Sequence, residues 1–348
     1  MTRVLWALLF AALLQAAPAT GQTTSALLLA IIRGDPMGPV LAFIDPAAAR
    51  ILDRVPLGAD PHVAAISADG KTAYVVNTND ALRTPDADSL SVIDLVARKE
   101  IRRVPTGDGS EPHDVRIVGG KLYLALEGYK AIARYDPARN KFEWTIGLGQ
   151  KGPHMLAVSA DGNTIIGTNP ESNTVSIVTN VLKGPINSEV VQVAGGNEPE
   201  GIEISPDGKE AWVSDQAAGG ISVIDVTKKA LTQHVDLKTT HATRLRLMPD
   251  GRRLLLVDRH TAELVVVDAT SRAVLKKISM PDTVTVSARN RNRIYDVTVT
   301  PDGSRAYVSV NSAPGRAYIG VVDMKTLEVM TRIETGAMAD GMAWVVMK

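Results

Sequence analysis

Three of the chain's six histidines stand directly behind a proline, at Pro61-His62, Pro112-His113 and Pro153-His154. Pro199-Glu200 has the same form with a carboxylate. Neutral imidazoles with one carboxylate suit zinc, copper, iron or manganese. The same groups exchange protons near neutral pH and can act as general acids and bases. Arg244 adds a cation, so Glu200, Arg244 and His154 form a candidate catalytic set. Such a set could open a lactone or eliminate across an activated C–H bond. The competing expectation is a solvated rim of paired charges.

Whether these residues meet depends on the elements that carry them. Asp-Gly turns recur at Asp69-Gly70, Asp161-Gly162, Asp207-Gly208, Asp250-Gly251 and Asp302-Gly303, with Gly119-Gly120 filling the gap. Their spacing of about 42–52 residues is that of a four-stranded propeller blade. A second marker keeps the same rhythm: an apolar run ending in Asp45, Asp94, Asp136, Asp225, Asp268 or Asp323, with Thr179 at the fourth place. In residues 60–105, "HVAAIS", "TAYVVN", "SLSVIDL" and "KEIRRVP" read as strands A to D, each β-branched-rich and bounded by turn residues. Seven B-C-D sets begin near Ala26, Thr72, Leu122, Thr164, Glu210, Arg253 and Arg305. The first lacks a strand A, and "MADGMAWVVMK" at the other end supplies one. The expected fold is all-β: a single seven-bladed propeller over 22–348, closed by the C-terminal strand completing blade one. Closure removes both sheet edges.

"GKTAYVVN" (70–77), "GKEAWVSD" (208–215) and "GSRAYVSVN" (303–311) resemble the YVTN-type β-propeller repeat. The resemblance spans essentially the whole mature chain and implies architecture more than activity. Similar propellers occur in secreted surface proteins, periplasmic proteins, lactonases, streptogramin lyases and the haem or copper domains of nitrogen-oxide reductases.

In such a blade the D-to-A and B-to-C connections lie at the mouth where strand A begins. Here the A-to-B turns are uniform, whereas the irregular stretches 78–88, 280–293 and 311–316 fall on the other side. Variable loops on one face mark the expected working surface. Aligning the inner strands on their Asp-Gly turns puts Asp340, His62, His113, His154, Glu200, Thr243 and Tyr295 around that mouth, with Asp296 the alternative for the last. With Arg244, these are the expected ligand-binding residues. His62, His113, His154 and Glu200 are the expected ligands of a divalent transition metal. Asp60, Glu111, Asp114 and Glu198 flank the arc as partners for the rings. Strand B ends bring Asn77, Glu127, Asn169, Asp215, Asp258, Arg259, His260 and Asn311 to the same mouth, and Arg246 shares the parity of Arg244.

Other classes find less support. The first 21 residues read as a secretory signal peptide, with Arg3 before an apolar run and a small-residue cleavage site near 19–21. A periplasmic or secreted protein is therefore expected, with no membrane span after cleavage. The chain has no cysteine, which excludes disulfides, covalent haem and a lipidated N-terminal cysteine. With 38 basic and 38 acidic residues, it lacks the excess cation that binding a nucleic-acid backbone requires. "RNRNR" (289–293) is a local basic run without interleaved aromatics. "GLGQKG" (147–152) precedes a strand rather than a phosphate-binding helix, so NAD is not expected. The leading expectation is a module binding a protein or small molecule at the channel mouth. The alternatives are an enzyme at that mouth, metal-dependent or acid-base, and a docking partner of a periplasmic redox system.

Overall fold

A computed structural model describes residues 26–78, 86–283, 294–311 and 316–347. The expected signal peptide and "RNRNR" lie outside the described residues, as do parts of the irregular loops. The described residues form seven four-stranded antiparallel sheets arranged as blades. Blade two, with strands Pro61–Ile66, Thr72–Asn77, Ser89–Asp94 and Lys99–Pro105, is the unit read from the sequence. Ring closure is as expected: Ala339–Val346 pairs with Ala26–Ile32, which continues through Val40–Asp45 to Arg50–Pro56. No helix among the described residues is long and apolar enough to cross a membrane.

The strand "ALLLAII" shows why the blades cohere. Its side chains alternate faces, and both faces are buried, so it reads as a continuous apolar run. Leu27, Leu29 and Ile31 pack against Val75 and Ile93 of blade two. Leu28, Ala30 and Ile32 pack against Tyr307 and Ile319 of blade seven.

The two sequence markers have clear causes. At the A-to-B turn of blade two, Asp69 Oδ1 accepts from Ser67 Oγ at 2.6 Å and from the Lys71 amide at 3.0 Å. Gly70 takes the left-handed conformation that the turn requires, at φ 70°. At the C-to-D turn, Asp94 Oδ1 accepts from the amides of Val96 and Ala97. Blade four has Thr179 there, and short 3₁₀ turns at Val181–Lys183 and Pro185–Asn187 take over the connection.

The start of each inner strand is irregular, and this positions the site. Asp60, Glu111, Gly152 and Glu198 all have positive φ immediately before the prolines of blades two to five. The pairing register then slips between Pro61 and Ala64, Pro112 and Asp114, Pro199 and Ile202, and Ala242 and Leu245. Such bulges free main-chain groups and re-aim side chains. Strand-B hydroxyls satisfy the freed groups and tie one blade to the next. Thr168 Oγ1 accepts from the Met155 amide at 3.1 Å and donates to the Glu200 carbonyl at 2.7 Å. Ser214 Oγ likewise accepts from the Gly201 amide and donates to the Thr243 carbonyl.

Candidate functional site

The bulged strand starts converge on a cavity of about 410 Å³ at the expected mouth. His62, His113, His154, Glu200, Arg244, Tyr295 and Asp340 all line it. Thr243 occupies the aligned position in blade six, but its short side chain is fully buried and turns to its own blade. Arg244, one residue on, carries that blade's contribution. Asp296 takes no part in the mouth. It lies in the channel below, where its carboxylate accepts from the Met342 amide at 2.8 Å and ties blade seven to blade one.

The three imidazoles form a continuous row. The ring centroids of His62 and His113 are 4.4 Å apart, and those of His113 and His154 are 3.7 Å apart and stacked. His62 is engaged at both nitrogens, with Asp60 and Asp340 each at 3.3 Å. His113 is 6% exposed, and its Nδ1 is buried without a hydrogen-bond partner. His154 Nδ1 lies 2.5 Å from Glu127 Oε1, and its Nε2 lies 3.9 Å from Glu200 Oε1. Arg259 reaches the same Glu200 oxygen at 3.3 Å and sits over the Tyr295 ring.

These surroundings drive the neighbouring acid constants apart. Burial, then the charges of His154, His62 and Arg244, hold His113 well below the usual imidazole range. Burial acts against protonation of His154 too, but hydrogen bonding to Glu127 and Glu200 outweighs it and raises the group to about 9. For Glu200, burial is overcome by Arg259 and His154, which hold the carboxylate well below its ordinary value. Asp340 is lowered in the same sense, with His62 outweighing burial. Strongly perturbed groups gathered in one cleft are a mark of functional sites.

One group of possible donors stands out among the described residues. His113, His154 and Glu127 each offer one donor atom, all within 4.8 Å of one another. His62 and Glu200 stand around this group rather than in it. Glu127 was legible only as a strand-B residue near the mouth, and Arg33, which reaches Asp340 at 3.0 Å, carried no sequence signal.

Four of the strand-B ends serve the scaffold. Asn77 donates to Ser89 and Ser91, Asn169 to Ser176, and Asp215 and Asp258 accept from loop amides. Arg246 sits lower in the channel and pairs with Glu203 at 3.0 Å. His241 stacks on His260 at 4.0 Å, and His234 lies 3.5 Å from Asp215.

No protein-family model and no curated protein matches the chain. Solved structures do. The chain is similar to the periplasmic gluconolactonase PpgL of Pseudomonas aeruginosa, at 18% identity and a TM-score of 0.73, over 93% of this chain and 99% of that one. It is similar to a functionally unknown protein from Desulfotomaculum acetoxidans, at 17% identity and a TM-score of 0.71, over 92% and 98%. Hydrazine synthase of Kuenenia stuttgartiensis matches at 20% identity and a TM-score of 0.57, over 66% and 67%. At these identities the likeness establishes the propeller fold, which hosts many chemistries.

Proposed function

We propose that the chain is an exported propeller that binds a small polar molecule at its channel mouth, over one divalent transition metal held by His113, His154 and Glu127. The observation that carries this reading is the clustering of those three donors within 4.8 Å, in a layer where the buried His113 Nδ1 has no other partner. Two imidazoles and a carboxylate are a fitting donor set once the metal displaces the proton that His154 shares with Glu127, and they leave coordination positions for a ligand. When bound, such a metal polarises a carbonyl or lowers the pKa of water.

The chain's own residues do the positioning. Glu200, itself held by Arg259, faces the second nitrogen of His154 and fixes the ring, as outer carboxylates commonly do for ligating histidines. His62, clamped by Asp60 and Asp340, forms the wall on which His113 stacks. Chemistry at a small ester or lactone suits this arrangement, and the gluconolactonase among the similar folds is consistent with it and with a periplasmic location.

A second reading is favoured by the row Glu127–His154–Glu200, in which His154 is hydrogen-bonded to Glu127 and lies 3.9 Å from Glu200 without a metal. The mouth would then be a binding module or an acid-base site. Cobalt(II) titration of the untagged mature protein separates the two. Visible ligand-field absorption saturating at one equivalent, and lost in His113→Ala and Glu127→Ala, is the expected result. Absence of any such band in the wild type would leave the metal-free reading.

A further inference from the structure

We infer that Arg244 is the anchor for an anionic ligand, a small molecule bearing one carboxylate. The inference rests on the channel-mouth reading above and names the class of molecule that the mouth receives. Among the described residues three guanidiniums line the cavity: Arg33, Arg244 and Arg259. Two are committed to the protein. Arg33 binds Asp340 and Asp60, and Arg259 binds Glu200. Arg244 differs. It is 7% exposed, yet among the described residues no carboxylate comes within 4.0 Å of it, and its one close polar neighbour is the Met155 sulfur.

A guanidinium presents five N–H donors in a planar fork that matches a carboxylate in two parallel hydrogen bonds. A thioether is a weak acceptor and satisfies almost none of that capacity. Its charge is felt by Glu200, Asp296 and Asp340, but none of them forms an ion pair with it, so its fork remains open to the carboxylate of a ligand.

Position and charge agree with this role. Arg244 lines both the mouth cavity and the channel of about 340 Å³ beneath it, so it forms the floor on which a ligand entering from the mouth would rest. The glycine at Gly201 places it there. The inner strand of blade six passes so close that a Cβ on residue 201 would stand 2.2 Å from the Thr243 carbonyl oxygen. Charge selects the class of anion. Among the described residues the cavity also holds Glu127, Glu171, Glu200 and Asp340 beside the three guanidiniums, so before a metal is bound a monoanion is matched by Arg244, whereas the second charge of a phosphate dianion finds no further uncommitted cation there.

Isothermal titration of the full mature chain freed of metal tests this, with zinc(II) binding measured separately. The probes are acetate, D-gluconate, inorganic phosphate and the uncharged sugar D-glucose. Wild type should bind at least one of the two carboxylates, and bind it at least tenfold more tightly than phosphate or glucose. Arg244→Met should weaken that binding tenfold or more, with Arg244→Lys intermediate, while zinc affinity in both variants stays within twofold of wild type. As a check on folding, Arg244→Met should melt no lower than wild type without ligand and should lose the carboxylate-induced rise in Tm. Carboxylate binding unchanged in Arg244→Met, glucose binding as tightly as gluconate, or wild type binding neither carboxylate would each overturn the inference. Carboxylate binding that depends on Arg244 in a protein taking up no metal would uphold it and remove only the metal from the preceding reading.

Discussion

Replacing Gly201 with alanine probes how tightly the inner strands of blades five and six are drawn together beneath the mouth. The added Cβ would meet three main-chain atoms of blade six: the Thr243 oxygen at 2.2 Å, the Leu245 nitrogen at 2.8 Å and the Arg244 Cα at 3.1 Å. None of these can swing aside as a flexible side chain would. The nearest is about 1 Å inside ordinary van der Waals contact, so the strand carrying Arg244 must move. It is also held by Ser214, which bridges the Gly201 amide and the Thr243 carbonyl, so the movement strains that tie as well. Overpacking of this kind costs about 2 kcal/mol, or roughly 3 °C in Tm for a domain of this size. Gly147→Ala is the matched control, since a Cβ there meets nothing within 4 Å and the backbone is not left-handed. Urea and thermal unfolding of the two variants beside wild type give the comparison. Equal stability of Gly201→Ala and Gly147→Ala would refute the close approach.

Other consequences follow from the same geometry. Gly341→Ala should destabilise to a similar extent, because its Cβ would stand 2.2 Å from the His62 carbonyl oxygen; paired melting curves with Gly201→Ala will show whether both contacts matter. Deleting residues 339–348 removes the strand that completes blade one and exposes Leu28 and Ala30, so the cooperative unfolding transition should disappear in calorimetry. The turn at Asp302 gives a pH signature. Hydrogen bonds from Thr300 and Ser304 lower this carboxyl from 3.8 to about 2, so its contribution is fully present above pH 4 and fades as pH falls through about 2. The gap in Tm between wild type and Asp302→Ala should therefore narrow across that window, and a gap independent of pH would contradict the assignment.

The fold was legible because its punctuation is chemical. Asp69 and Asp94 each organise a turn through their own side chains, so the residue types recur wherever the turns do. Counting back from those turns also brought His62, His113, His154, Glu200, Tyr295 and Asp340 to one mouth, because inner strands of similar length start at similar heights. The count gave way at blade six. There the bulge between Ala242 and Leu245 lets two successive residues approach the channel, and the longer Arg244 side chain fills the place assigned to Thr243. Glu127 was harder to find. It lies beyond strand B of blade three, and only the fold shows that it reaches across to His154 of blade four. Arg33 was silent for a similar reason: its partner Asp340 lies at the far end of the chain and becomes a neighbour through ring closure.

The most direct measurement of the central proposal is the metal content of untagged mature protein, by plasma mass spectrometry before and after dialysis against a chelator and reloading. One equivalent of a single transition metal should be retained, released by the chelator with a fall in Tm, and restored on reloading. His113→Ala and His154→Ala should retain none, and His234→Ala, in an outer strand, should match wild type. A wild-type protein that holds no metal and melts unchanged with zinc, copper, iron or manganese would contradict the proposed centre.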